Sequence, residues 1–96
     1  MAEEHIPLAQ LIAADLDAAT LAALFADLAL TEIDEVLVKG AAEAHAGGAG
    51  LAEAQRRLAE GARGIQIRYR WQGEAWWDTL VRTPTGIRLV RSRAPA

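Results

Sequence analysis

The sequence predicts an α+β domain in which three to four N-terminal helices pack on one face of a C-terminal three-stranded antiparallel β-meander. Apolar residues recur at helical spacing through residues 7–62 and alternate with arginines at strand spacing through residues 64–92. Glycine-containing turns divide that second stretch into three strands. At 96 residues the chain has room for one domain with a single modest core, residues 1–96. The tail at 93–96, Arg-Ala-Pro-Ala, is expected to fray.

Pro7 suits a first helical turn and is followed by Leu8, Leu11 and Ile12, which predicts a short helix stopping near Asp15. Asp17 then caps a second helix whose Leu21, Leu24, Phe25 and Leu28 form one apolar stripe. Thr31 and Asp34 resemble a capping box with the shorter acid, predicting a third helix through Ile33, Val36, Leu37, Gly40, Ala41 and Ala44. Gly47-Gly48-Ala49-Gly50 is expected to end it. That cluster lacks the order of a phosphate-binding loop. A fourth helix carries a weak stripe of Leu51, Ala54, Leu58 and Ala62 and ends at Gly61 or Gly64.

Register decides which side chains of the meander share a surface, because a slip of one residue inverts a strand. A turn at Gly73-Glu74 would set Trp71 against Trp76 but put Asp78 and Arg82 among Ile65, Ile67 and Tyr69, burying two charges. Three-residue loops at Gln72-Gly73-Glu74 and Pro84-Thr85-Gly86 sort the faces more cleanly. One face then holds Ile65, Ile67, Tyr69, Trp71, Ala75, Trp77, Thr79, Val81, Ile87 and Leu89, covered by helices. The other holds Gln66, Arg68, Arg70, Trp76, Asp78, Leu80, Arg82, Arg88 and Val90, with Arg68 opposite Asp78 and Arg70 opposite Trp76.

The net charge of −3 conceals an asymmetry. Residues 1–62 carry eleven acids against three cations, a balance of −8, and residues 63–96 carry seven arginines against Glu74 and Asp78, a balance of +5. Either the two surfaces neutralise each other, or the arginine face takes an anionic partner. The candidate binding residues are Arg68, Arg70, Trp76, Asp78, Arg82 and Arg88. Four planar cations around an indole suit a protein partner with an acidic surface, and a single nucleic-acid strand is the alternative. The acidic pI of about 5.3 and the absence of an RNP-like motif weigh against nucleic acid.

Absence of cysteine removes disulfides, thiolate metal sites and thiol chemistry. His5 and His45 lie forty residues apart, so the sequence offers no metal site and no cofactor motif. Asp78 is the one acid with enzyme-like surroundings, as a small-ligand site, but it has no second acid, histidine or nucleophile at a readable spacing. The acidic N-terminus and the lack of a long apolar run predict a cytoplasmic protein that is not membrane-bound. An alanine-, leucine- and arginine-rich composition with one lysine suggests a GC-rich bacterial source. Strands 64–71 and 87–91 are expected to be sheet edges, through which two copies could pair.

Overall fold

A computed structural model describes residues 13–39, 44–45 and 47–95. Its elements are β1 (Ala13–Leu16), α1 (Ala18–Leu28), β2 (Glu32–Val38), β3 (Ala44–His45), α2 (Gly47–Ala59), β4 (Gly64–Trp71), β5 (Glu74–Thr83) and β6 (Gly86–Arg93). The predicted architecture is overturned. There are two helices among the described residues, and the sheet has six antiparallel strands in the order β1-β6-β5-β4-β2-β3. The expected meander, β4 to β6, lies inside that sheet, with strands from the N-terminal half added on both sides.

The helix capped by Asp17 is α1. The Asp17 carboxylate accepts a hydrogen bond from the Thr20 backbone N–H at 2.7 Å, and Leu24, Phe25 and Leu28 are buried. Thr31, read as the start of another helix, closes this one instead. Both its backbone N–H and its hydroxyl donate to the Leu28 carbonyl, at 3.0 and 2.7 Å.

The predicted third helix is the strand β2, and a β-bulge explains the misreading. Ile33 faces Tyr69 and Val36 faces Ile67, with the register shifting between Ile33 and Glu35. The extra residue lets two positions three apart share one face of a strand, a spacing that otherwise marks a helix. Of the predicted first helix, residues 7–12 lie outside the described residues, while Ala13–Leu16 pairs with β6. Ladder pairing there overrides the helical preference of two alanines. Gly47-Gly48-Ala49-Gly50 opens α2 rather than closing a helix, and His45 lies on β3 opposite Val36.

Gly61, at φ +108°, ends α2 as expected. Its N–H bonds the Leu58 carbonyl at 3.1 Å and the Ala62 N–H bonds the Arg57 carbonyl at 2.9 Å, the paired bonds of a Schellman cap. From β5, Arg82 donates to the carbonyls of Leu58 and Ala62, so the sheet itself caps the helix.

Both helices lie on one face of the sheet. Leu24, Phe25 and Leu28 of α1 and Leu51, Ala54 and Leu58 of α2 share a core with Leu16, Val36, Val38, Ile65, Ile67, Tyr69, Leu80, Ile87 and Leu89. β4 and β6 are interior strands, since β2 covers one and β1 the other, so the proposed pairing of two copies through those edges is not available. No helix among the described residues is long and apolar enough to cross a membrane.

Replacing Arg82 with Ala removes two charge-assisted bonds to the α2 terminus and is expected to lower unfolding stability by about 1–2 kcal/mol. Urea denaturation checks this. A stability unchanged within error would show that the cap contributes nothing.

Candidate binding face

The β4–β5 turn is neither of the two the sequence suggested. Gln72 and Gly73 form a two-residue turn with φ of +52° and +79°, so Trp71 pairs with Glu74, Tyr69 with Trp76 and Ile67 with Asp78. Relative to the preferred register, β4 and β6 keep their faces and β5 inverts. Trp76, Asp78, Leu80 and Arg82 turn toward the helices, while Ala75, Trp77, Thr79 and Val81 turn to the helix-free face.

The six predicted binding residues are therefore divided. Arg68, Arg70 and Arg88 lie on the helix-free face, and Trp76, Asp78 and Arg82 on the helix-covered one. Arg68 does not oppose Asp78 but Trp77, and Arg70 opposes Ala75 rather than Trp76. Trp76 packs against the core beneath Arg93, whose guanidinium lies 5.2 Å from the indole centroid and also pairs with Glu74.

Asp78 is 0% exposed and its neighbour across the β5–β6 ladder, Arg91, is 2% exposed. Arg91 grips the carboxylate through both oxygens, Nε to Oδ1 at 2.7 Å and Nη2 to Oδ2 at 2.5 Å, and the Tyr69 hydroxyl donates to Oδ1 at 3.0 Å. This arrangement supplies the partner whose apparent absence made the charge-burying register unattractive. Burial would by itself lower the proton affinity of Arg91, but the hydrogen bonds and charge of Asp78 outweigh it and leave the guanidinium pKa above its ordinary value. Burial, followed by the negative charge of Asp78, pushes the Tyr69 phenol well above the ordinary tyrosine range. Asp78 is thus fully enclosed by the described residues. Its chemistry is that of a sealed, bidentate ion pair.

The helix-free face is ordered by cross-strand rows. Leu37, Gln66, Thr79, Val90 and Ala13 form one row, and Glu35, Arg68, Trp77 and Ser92 form the next. Arg68 stacks over Trp77 at 4.0 Å from the ring centroid, bonds Glu35 at 3.0 Å and donates from Nε to Gln66 at 2.9 Å. Gln66 in turn donates to the Thr79 hydroxyl at 3.1 Å. Arg70 pairs with Asp34 at 3.3 Å and Arg88 with Asp15 at 3.4 Å. Every arginine of the predicted anion site that remains on this face is thus engaged by an acid of a neighbouring strand. Val90, one row from the half-buried Trp77, and Val81, two rows from it, stand 40% and 41% exposed.

Trp77, Val81 and Glu35 are the residues of this face that sequence reading missed. The one-residue slip sends Trp77 and Val81 to the core, and Glu35 falls within the predicted third helix. The complementary charges of Asp78 and Arg91 were the available signal for the true register. No three acids or histidines among the described residues are grouped to hold a metal ion. No protein-family model, curated protein or solved structure matches the chain.

Removing one partner of the buried pair, by Asp78→Asn or Arg91→Met, is expected to cost about 3–5 kcal/mol, whereas Asp78→Leu/Arg91→Met together should cost far less than the sum. Denaturant titration of the three variants reads the coupling, and additive losses would refute it.

Tyr69 is the single tyrosine, so tyrosinate absorbance reports it alone. A phenol that holds its proton more tightly when folded stabilises fully below the unfolded value of about 10 and loses that contribution as pH rises above it. Ionisation should accordingly appear together with alkaline unfolding, in step with the loss of far-UV circular dichroism. Ionisation near pH ~10 in a chain that stays folded would contradict the burial argument.

Proposed function

We propose that the chain is a small non-enzymatic accessory or regulatory protein that docks a protein partner on the helix-free face of its sheet. The observation supporting this is Trp77, set in the middle of a face that neither helix covers, with Arg68 stacked on it and Val90 exposed in the adjoining row. A tryptophan held by a stacked guanidinium next to an exposed apolar side chain has the character of an interface anchor.

The charge pattern favours a protein over a nucleic acid. Arg68, Arg70 and Arg88 would have to give up Glu35, Asp34 and Asp15 before holding phosphates, and those acids would themselves repel a polyanion. The same neutralisation argues for a partner of mixed polarity in place of the strongly acidic one suggested by the arginine count. Apolar contact at the centre with polar residues around it is the usual anatomy of a protein interface.

Affinity capture from native lysate, with and without nuclease, tests the proposal on the wild-type chain and a Trp77→Ala variant whose fold is checked by circular dichroism. A protein retained despite nuclease and weakened at least about 30-fold by the variant is expected, as for a hot-spot residue. Equal capture by both chains would remove Trp77 from the interface, and a nuclease-sensitive ligand would replace the protein partner with nucleic acid.

A further inference from the structure

We infer that the partner of the helix-free face is a second copy of this chain, laid face to face across a two-fold axis. The inference rests on the docking role proposed for that face and adds the identity of the occupant. Its basis is the distribution of the charges that the intramolecular ion pairs leave over.

At one end of the face, Lys39 continues the row Gly64, Val81, Arg88 and Asp15, since its backbone N–H bonds the Gly64 carbonyl at 2.9 Å. Gly64 contributes no side chain there, and a Cβ would stand 3.2 Å from the Leu80 carbonyl. The result is a shallow depression of about 410 Å³ with Leu37 and Val81 in its walls and Lys39 and Arg63 at its rim. Neither Lys39 nor Arg63 has an ion-pair partner among the described residues, whereas Arg88 is held by Asp15. At the opposite end lies the row Glu32, Arg70 and Ala75. Arg70 is taken by Asp34, and Glu32 has no ion-pair partner among the described residues.

A cation without an ion-pair partner among the described residues, Lys39, thus sits at one end of β2 and such an acid, Glu32, at the other, separated by an uncharged row and an internally neutralised one. A two-fold axis parallel to the rows, passing between the Leu37 row and the Trp77 row, lays β2 antiparallel on β2 of the second copy. Lys39 then meets Glu32 of the second copy, and the reciprocal contact forms at the other end, as an isologous interface requires. Trp77 meets the uncharged row containing Thr79 and Val90 of the second copy. Aligned face-to-face packing of two sheets is an established arrangement.

Size agrees as well. Strands β1, β6, β5, β4 and β2, about 4.8 Å apart and four to ten residues long, present roughly 600 Å² of sheet before side-chain relief is counted. A stable interface buries about 800 Å² of accessible surface per partner, which a corrugated face of that extent supplies.

Sedimentation velocity of the purified full chain, from low to high micromolar concentration, tests the assignment. The wild-type chain should dimerise. Lys39→Glu should weaken the dimer about 10-fold or more, and adding Glu32→Lys to that change should restore it. Both positions are exposed, and circular dichroism checks that each variant is folded. A wild-type monomer at every concentration, or a charge reversal without effect, overturns the second copy as occupant. If that monomer nevertheless captures a different protein through Trp77, the docking role of the face survives without it; if it captures none, both readings fall.

Discussion

The buried Asp78–Arg91 pair is the constraint on which the sheet depends. Two charges removed from water destabilise a fold unless each finds the other in good geometry, and a one-residue slip of β5 would separate them and set Trp77 and Val81 against the helices. Both carboxylate oxygens are occupied by one guanidinium, and Tyr69 adds a third bond from the strand on the other side. The triad therefore ties together β4, β5 and β6. Its role in specifying register resembles that of a single buried polar residue in a coiled coil, where a wrong alignment is excluded because it strands a polar group.

How the sequence conceals this follows from treating charges one at a time. Asp78 amid Ile65, Ile67 and Tyr69 is an improbable neighbour until Arg91 is placed across from it, thirteen residues further along. Binary patterning favours the register in which β5 buries Trp77, Thr79 and Val81, because it counts an ion pair as two violations. The turn adds to the difficulty: a two-residue turn with both φ angles positive is most readily signalled by Asn-Gly or Asp-Gly, and here Gln72 occupies the first position. The elements with local chemical signatures, Asp17 before α1 and Gly61 after α2, were readable. The strands added from the N-terminal half were not, because β1 and β2 draw their definition from the partners they pair with.

Composition supplied the other error. An alanine- and leucine-rich first half reads as a series of helices, and in β2 the bulge at Asp34 produces a three-residue spacing that imitates one. The consequence for function is large. Assigning residues 31–46 to a helix kept Asp34 and Glu35 away from the sheet, so the arginines opposite appeared to need an external anion. With β2 beside β4, those acids belong to the same face as Arg68 and Arg70.

An arginine-rich strand is accordingly weak evidence for an anionic ligand when neighbouring strands are acidic. What identifies a surface as available is the residue left over after local pairing: here Trp77, whose ring carries a guanidinium on one side, the exposed Val90 in the adjoining row, and Lys39 and Glu32, which have no ion-pair partner among the described residues. Neutralisation within the face makes it compatible with close apposition to another protein surface, because no large single-sign field has to be screened or desolvated. Placing those two charges at the ends of β2 gives that apposition a direction. The buried ion pair determines which side of β5 faces out, the bulge in β2 brings the compensating acids into position, and the surface that results is internally neutralised at its centre, around Trp77, with Lys39 at one end of β2 and Glu32 at the other.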